Sequence, residues 1–209
     1  MKERSEDLNI QIQYKLVEEL TRTNESLQEK IQQNKKQLDE TRKLIKDLQI
    51  INNFSKVIQE SKTIEDITWS IVREAVAQLG FGDCVIYLFD SNREFLLQTA
   101  SLGLKNQNGR EISNPLKIKY GEGIVGYVAK SGIGEIVNDT SKDSRYIIDD
   151  DCRFSEITVP IIYEGKVIGI IDSEHPEKNF FSQKHFELLQ TISAIAATKI
   201  IQTQLNSDL

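Results

Sequence analysis

The sequence predicts an α+β domain, a mostly antiparallel sheet carrying helices on one face, preceded by a long coiled-coil helix. Three observations predict it. Residues 5 to 60 contain no Gly and no Pro and repeat apolar residues at heptad spacing. From residue 83 the pattern changes to short strand-like runs separated by turn residues. A hairpin followed by one more amphipathic helix closes the chain.

The 209 residues fit one ordinary domain plus an extension, 1–60 and 61–209, better than two full domains. The formal charge of −6 argues against nucleic-acid binding, which needs a basic face. No apolar run approaches the length of a membrane span. The start, Met1 to Asp7, has no apolar stretch behind it, so no secretory signal is expected. Cys84 and Cys152, the two cysteines, make neither a ligand-spaced pair nor a disulfide framework, which implies a cytoplasmic chain with idle thiols.

In the first element, one register places Ile10, Val17, Asn24, Ile31, Leu38 and Ile45 at position a. Position d holds Leu20, Leu27, Asn34, Thr41 and Leu48. β-Branched residues at a with Leu at d favour a parallel two-stranded coiled coil, so a homodimer is expected. Asn24 and Asn34 would fix its register. The competing reading folds this helix back on its own domain, but a seam of about 75 Å outruns a small domain.

Thr63 to Leu79 keeps helical spacing until Gly80 stops it. Asp83 to Asp90 is apolar on both faces, as a covered central strand requires. Asp90-Ser-Asn-Arg93 makes a turn, and Glu94 to Ser101 returns. Gly103 to Pro115 is a polar loop, Leu116 to Tyr120 a short strand, Ile124 to Lys130 a short helix, and Gly134 to Asn138 strand-like. Asp139 to Arg153 is acidic and irregular, with room for one helical turn. Ser155 to Tyr163 and Lys166 to Ser173 form the hairpin. Ser182 is placed to cap a last helix reaching about Leu205, with Phe181 and Phe186 positioned as a hydrophobic staple.

The hairpin carries the chemistry. A three-residue loop, Tyr163-Glu164-Gly165, gives Gly165 the positive φ it tolerates and sets Ile162 opposite Lys166. Glu156 then faces Asp172, with Glu174 diagonal on the same face. A two-residue loop, by simple parity, would send Glu156 and Asp172 to opposite faces. Three like charges on one face repel and call for a cation. Either a bound amine or guanidinium supplies it, or the acids stay solvated or pair with Lys117, Lys119, Arg145 or Arg153.

Ser155-Glu-Ile-Thr-Val-Pro160, Ile168-Gly-Ile-Ile-Asp-Ser-Glu174 and Gly121-Glu-Gly-Ile-Val-Gly-Tyr-Val-Ala129 resemble the C-terminal hairpin and glycine turn of GAF domains. With the terminal helices, the resemblance covers roughly residues 60 to 205. It implies a GAF/PAS-like fold, a six-stranded antiparallel sheet flanked by helices. One face would carry the terminal helices. The other would hold a small-molecule pocket under a mobile segment between Leu116 and Arg153, where Tyr120, Arg145 and Tyr146 would line it. Members often dimerise and pass signals along helices, here toward a kinase or other output domain.

Within the family the hairpin is most similar to the free methionine-R-sulfoxide reductases, whose carboxylates Glu156, Asp172 and Glu174 match by spacing. Their cysteines do not match: Val125 and Pro115 stand at two of the positions, and Cys152 lies too close to the hairpin for the third. Sulfoxide reduction needs a thiolate and a resolving thiol, so no enzyme is expected.

Gly121-x-Gly-x-x-Gly126 matches a dinucleotide fingerprint only in letters, since no crossover helix or parallel strands surround it. His175 and His185 lack the neighbours of a phosphoacceptor or metal site. Asp149-Asp150-Asp151 lacks the Gly and distal Glu of a calcium loop. No cofactor is expected. The sequence therefore points to a ligand-binding signalling module for a small molecule, an amine or amino acid. The alternatives are a ligand-free docking domain and a reductase.

Overall fold

The computed structural model describes residues 2–103, 106, 109–149 and 151–207, and the side chains of all of these but 2–10, 75–77 and 207. The side chains of Ile10, Ala75 and Val76 and the whole of Asp150 lie outside the described residues.

The chain divides into two compact units, Met1–Leu48 and Gln49–Leu209. Helix α1 spans Lys2–Glu60, a stretch in which no Gly or Pro disfavours a helix. In the first unit Val17, Leu20, Leu27, Ile31, Leu38, Ile45 and Leu48 are all between 50% and 61% exposed, an uncovered apolar seam. The two units part inside α1, between Leu48 and Gln49. Beyond Leu48 the heptad positions turn polar, with Asn52 at a and Ser55 at d. Ile50, Phe54 and Ile58 take over on another side of the helix and are buried in the domain.

The domain then runs α2 (Ile64–Leu79), β1 (Cys84–Phe89), β2 (Phe95–Leu102), β3 (Lys117–Lys119) and α3 (Gly123–Ser131). After these come β4 (Glu135–Val137), a 3-10 turn at Thr140–Lys142, β5 (Ser155–Tyr163), β6 (Lys166–His175) and α4 (Gln183–Ser207). The Thr63 hydroxyl accepts from the Asp66 amide to cap α2, and the Ser182 hydroxyl accepts from the His185 amide to cap α4. Phe181 packs edge-on against Phe81, Phe180 and His185.

The six strands form one sheet in the order β3-β2-β1-β6-β5-β4, every pair antiparallel. Alternation along the strands divides two cores. Cys84, Ile86, Ile157, Val159, Ile161 and Ile171 pack with Ile67, Ile71, Leu189, Ile192 and Ala196 of α2 and α4. Val85, Tyr87, Leu96, Ile118 and Ile170 face the other way, onto Val125, Val128 and Ala129 of α3.

The hairpin corrects the sequence reading twice. Its loop has two residues, Glu164-Gly165, with Tyr163 opposite Lys166. Both loop residues take positive φ, 46° and 76°, the primed geometry that follows the twist of the strands. Glu156 faces Glu174, and Asp172 faces Thr158. The parity argument nevertheless does not scatter the acids. Ile161 pairs with Gly169 and Ile162 with Val167, so Ile168 is an extra residue. That bulge reverses the alternation once and returns Glu156, Asp172 and Glu174 to one face.

Candidate functional site

The site lies on the sheet face opposite the terminal helices. Five carboxyls line one cavity there: Asp83 just before β1, Asp149 from the loop ahead of β5, and Glu156, Asp172 and Glu174 on the hairpin. The rest of its wall is mainly apolar, with Val85, Leu116, Ile118, Ile124, Val125 and Ile147. As closed here it leaves about 20 Å³ for the centre of a water molecule, enough for little more than one water.

Burial dominates the electrostatics. Glu156 is 3% exposed and Asp172 5%. The Thr158 hydroxyl lies 2.7 Å from Asp172 Oδ1 and 3.1 Å from Glu156 Oε1, and its single proton serves one of them at a time. Desolvation, then the negative charge of Glu174, pushes the Glu156 carboxyl up to about 8. Desolvation and the neighbouring Asp172 push Glu174 up to about 9. Desolvation and Glu156 raise Asp172 well above the usual carboxyl range. Close together and out of water, Glu156, Asp172 and Glu174 each favour the neutral form over adjacent like charges.

Ile147 and Asp149, ahead of β5, close one side of the cavity. Gln98, buried on β2, fastens Asp149. Its amide nitrogen donates to Asp149 Oδ2 at 2.6 Å and to the Tyr87 hydroxyl at 3.0 Å, and its oxygen accepts from the Leu116 amide at 2.7 Å. The Ile147 side chain settles over Gly123, where any Cβ would come within 2.6 Å of it. The Tyr146 hydroxyl accepts from the Arg153 amide at 3.0 Å, and burial together with the nearby charge of Glu174 raises its pKa.

Of the residues singled out in the sequence, the structure brings Glu156, Asp172 and Glu174 together and sets Tyr146 beside them. Tyr120, Arg145 and Tyr146, expected in the lining, are not among the residues of the cavity wall. Tyr120 tilts against Phe89, and Arg145 is held by Glu135 at 2.7 Å and Asp143 at 2.6 Å while lying over the Tyr127 ring. Among the four cations weighed as partners for the acids, Arg153 reaches the cluster, 3.6 Å from Asp83. Asp83, Asp149 and Gln98 were not anticipated. Gln98 carried a signal, a polar residue on the covered face of a strand.

Cys84 is buried in the helix-side core, where desolvation and the charge of Asp83 raise its thiol well above the ordinary value. Cys152 is exposed. Both histidines spend Nδ1 on backbone amides, His175 on Glu177 and His185 on Ser182. Among the described residues no group of three or more His, Cys, Asp or Glu is arranged to hold a metal, and no helix is long and apolar enough to cross a membrane.

A six-stranded antiparallel sheet with helices on one face and a lidded cavity on the other defines a class of sensory and ligand-binding module. The family model described as GAF domain matches residues 61–200, and the chain belongs to the GAF family. It is similar to Protein YtsP of Bacillus subtilis, 29% identical over 86 residues, which takes in 38% of this chain and 53% of that protein. The chain thus matches about half the length of that curated relative. Among solved structures, it resembles the GAF domain of a phosphoenolpyruvate-protein phosphotransferase from Coxiella burnetii. The TM-score is 0.70 at 19% identity, over 79% of this chain and 98% of the other. It also resembles the free methionine-R-sulfoxide reductase of Neisseria meningitidis in complex with its substrate. There the TM-score is 0.67 at 17% identity, over 77% and 91%. At such identities the likeness establishes the fold.

Proposed function

We propose that this chain is a non-catalytic sensory module whose GAF cavity takes a small molecule carrying an amine, an amino acid among the candidates, and relays its presence through the helices. The observation that carries this reading is the gathering of five carboxyls in one closed cavity, three of them on adjacent strands and largely out of water. Acids in such a place stay protonated at a cost in free energy, and a bound ammonium relieves that cost. The first residues of α3 line the same cavity, and its N-cap Glu122 makes no side-chain cap bond. That leaves helix N–H groups for the carboxylate of a zwitterion.

The mismatch with the reductase cysteine positions supports the non-catalytic reading. Val125 and Pro115 stand at two of the reductase cysteine positions, and burial disfavours the Cys84 thiolate. Thermal melts with a panel of free amino acids and polyamines test the sensor. A ligand at a hundred times its Kd adds about 2.7 kcal/mol, a rise of about 5–10 °C for a domain of this size. Glu156→Gln should remove that rise. A panel that shifts nothing would count against a ligand-binding role.

The relay requires a second copy. The apolar seam from Val17 to Leu48 is uncovered in one chain, and we infer that a parallel coiled coil buries it. Replacing Leu20 and Leu27 by Ser should convert a dimer to a monomer in sedimentation equilibrium. A monomeric parent chain would rule out the coiled-coil relay. A kinase or other output domain is a suitable recipient of such a signal.

A further inference from the structure

Arg153 stands where the lid rejoins the sheet, and it is 8% exposed. Its backbone is fixed on both sides. Its amide donates to the Tyr146 hydroxyl, its carbonyl accepts from the Thr140 hydroxyl, and the Phe154 amide donates to the His175 carbonyl at 2.9 Å. Its guanidinium lies 3.6 Å from Asp83 Oδ2, a carboxyl that lines the cavity, and 3.4 Å from the exposed Asp151. Its charge also favours the ionised form of Glu174.

A buried guanidinium is costly unless its partners stay in place. Here one of those partners belongs to the acid cluster that a soluble cation would need. We propose that Arg153 is a tethered competitor, a cation carried by the lid that neutralises part of the cavity's acid cluster and so limits how tightly a soluble cation is held there. This rests on the reading of the cavity as a cation site and adds its regulation. An intramolecular cation acts at an effective concentration in the millimolar range or above. A ligand sharing the same carboxyls binds correspondingly more weakly than it would to the bare cluster. Ligand entry then releases Arg153 from Asp83. The lid segment that Arg153 and Tyr146 hold together is freed with it, which gives the cavity two states of the loop to distinguish.

The test uses the full chain and methylguanidinium, a soluble copy of the lost group. Arg153→Ala should bind it at least about tenfold more tightly than the parent in calorimetric titration, since one nearby positive charge has been withdrawn. Its melting temperature should rise with millimolar methylguanidinium while that of the parent stays put, and Arg153→Lys should behave as the parent does. Equal affinity in parent and Ala variant overturns the competitor and leaves cation binding by the cavity standing. Binding to neither overturns it as well, and the amine panel with Glu156→Gln still decides the broader reading. Should the Ala variant fail to fold in plain buffer, recovery of its circular dichroism by methylguanidinium, and not by tetramethylammonium, is the supporting result. Arg153→Met, which keeps most of the apolar stem, then carries the affinity comparison. No gain in the Met variant overturns the proposal.

Discussion

Raising the pH from 5 to 9 should lower the melting temperature of the domain by about 10 °C, corresponding to a few kcal/mol at 2–4 °C per kcal/mol. The folded-state values of Glu156 and Glu174, about 8 and about 9, lie above the ordinary 4.5, and Asp172 is displaced in the same direction. A carboxyl raised in the folded state binds a proton there that it has already lost in the unfolded chain. Its neutral form is the one the fold tolerates. Below about 4.5 both states are protonated and no penalty exists. Between 4.5 and 8–9 the folded state holds the extra proton, so stability falls as pH rises. Above 9 the full penalty is present. Glu174→Gln, neutral at every pH, should flatten the profile and be more stable than the parent at pH 9. A cationic ligand prefers the ionised acids, so its affinity should grow over the same interval in which the empty domain weakens. A melting temperature constant from pH 5 to 9 would show that these carboxyls are not desolvated in solution.

The fold was legible because the segments keep their periods. The continuous apolar run of β1, the Ser182 cap and the hairpin alternation each constrained one element, and their order matched a single architecture. What local reasoning could not supply was the bulge. Parity along two strands joined by Glu164-Gly165 would separate Glu156 from Asp172, and no residue type near Ile168 announces an extra position. The three-residue loop gave the right face for the wrong reason. The point within α1 where the second compact unit starts was hidden for a related cause. The helix has no breaker, so only the change from Ile45 and Leu48 to Ile50, Phe54 and Ile58 marks where its residues become buried. Arg145 and Tyr120 were drawn to the cavity by sequence position alone. Tertiary partners hold Arg145 elsewhere, on Glu135, Asp143 and the Tyr127 ring. Arg153, chemically its equal, takes the place beside Asp83 because the start of β5 carries it there.

Gly126→Ala should cost about 2–4 kcal/mol, among the larger losses available from one added methyl. A Cβ at Gly126 would stand 2.7 Å from the Lys119 carbonyl oxygen, 3.1 Å from the Gly121 nitrogen and 3.2 Å from the Gly121 carbonyl carbon. These are backbone atoms, and no rotamer change removes them. Relief requires α3 to lift from the turn that follows β3. That movement breaks the hydrogen bond from the Gly121 amide to the Gly126 carbonyl, now 3.0 Å, and displaces Ile124 and Val125 from the cavity wall. Gly165→Ala is the matched control. Gly165 has φ +76° but nothing within 4 Å of an added Cβ, so only the left-handed backbone opposes the change, about 1 kcal/mol. Urea denaturation of the two variants separates close contact from backbone preference. Equal losses would mean that α3 does not sit against its turn. The spacing Gly121-x-Gly-x-x-Gly126 is thereby explained without a nucleotide: two positions turn the chain at φ 85° and 70°, and the third lets a helix touch the turn.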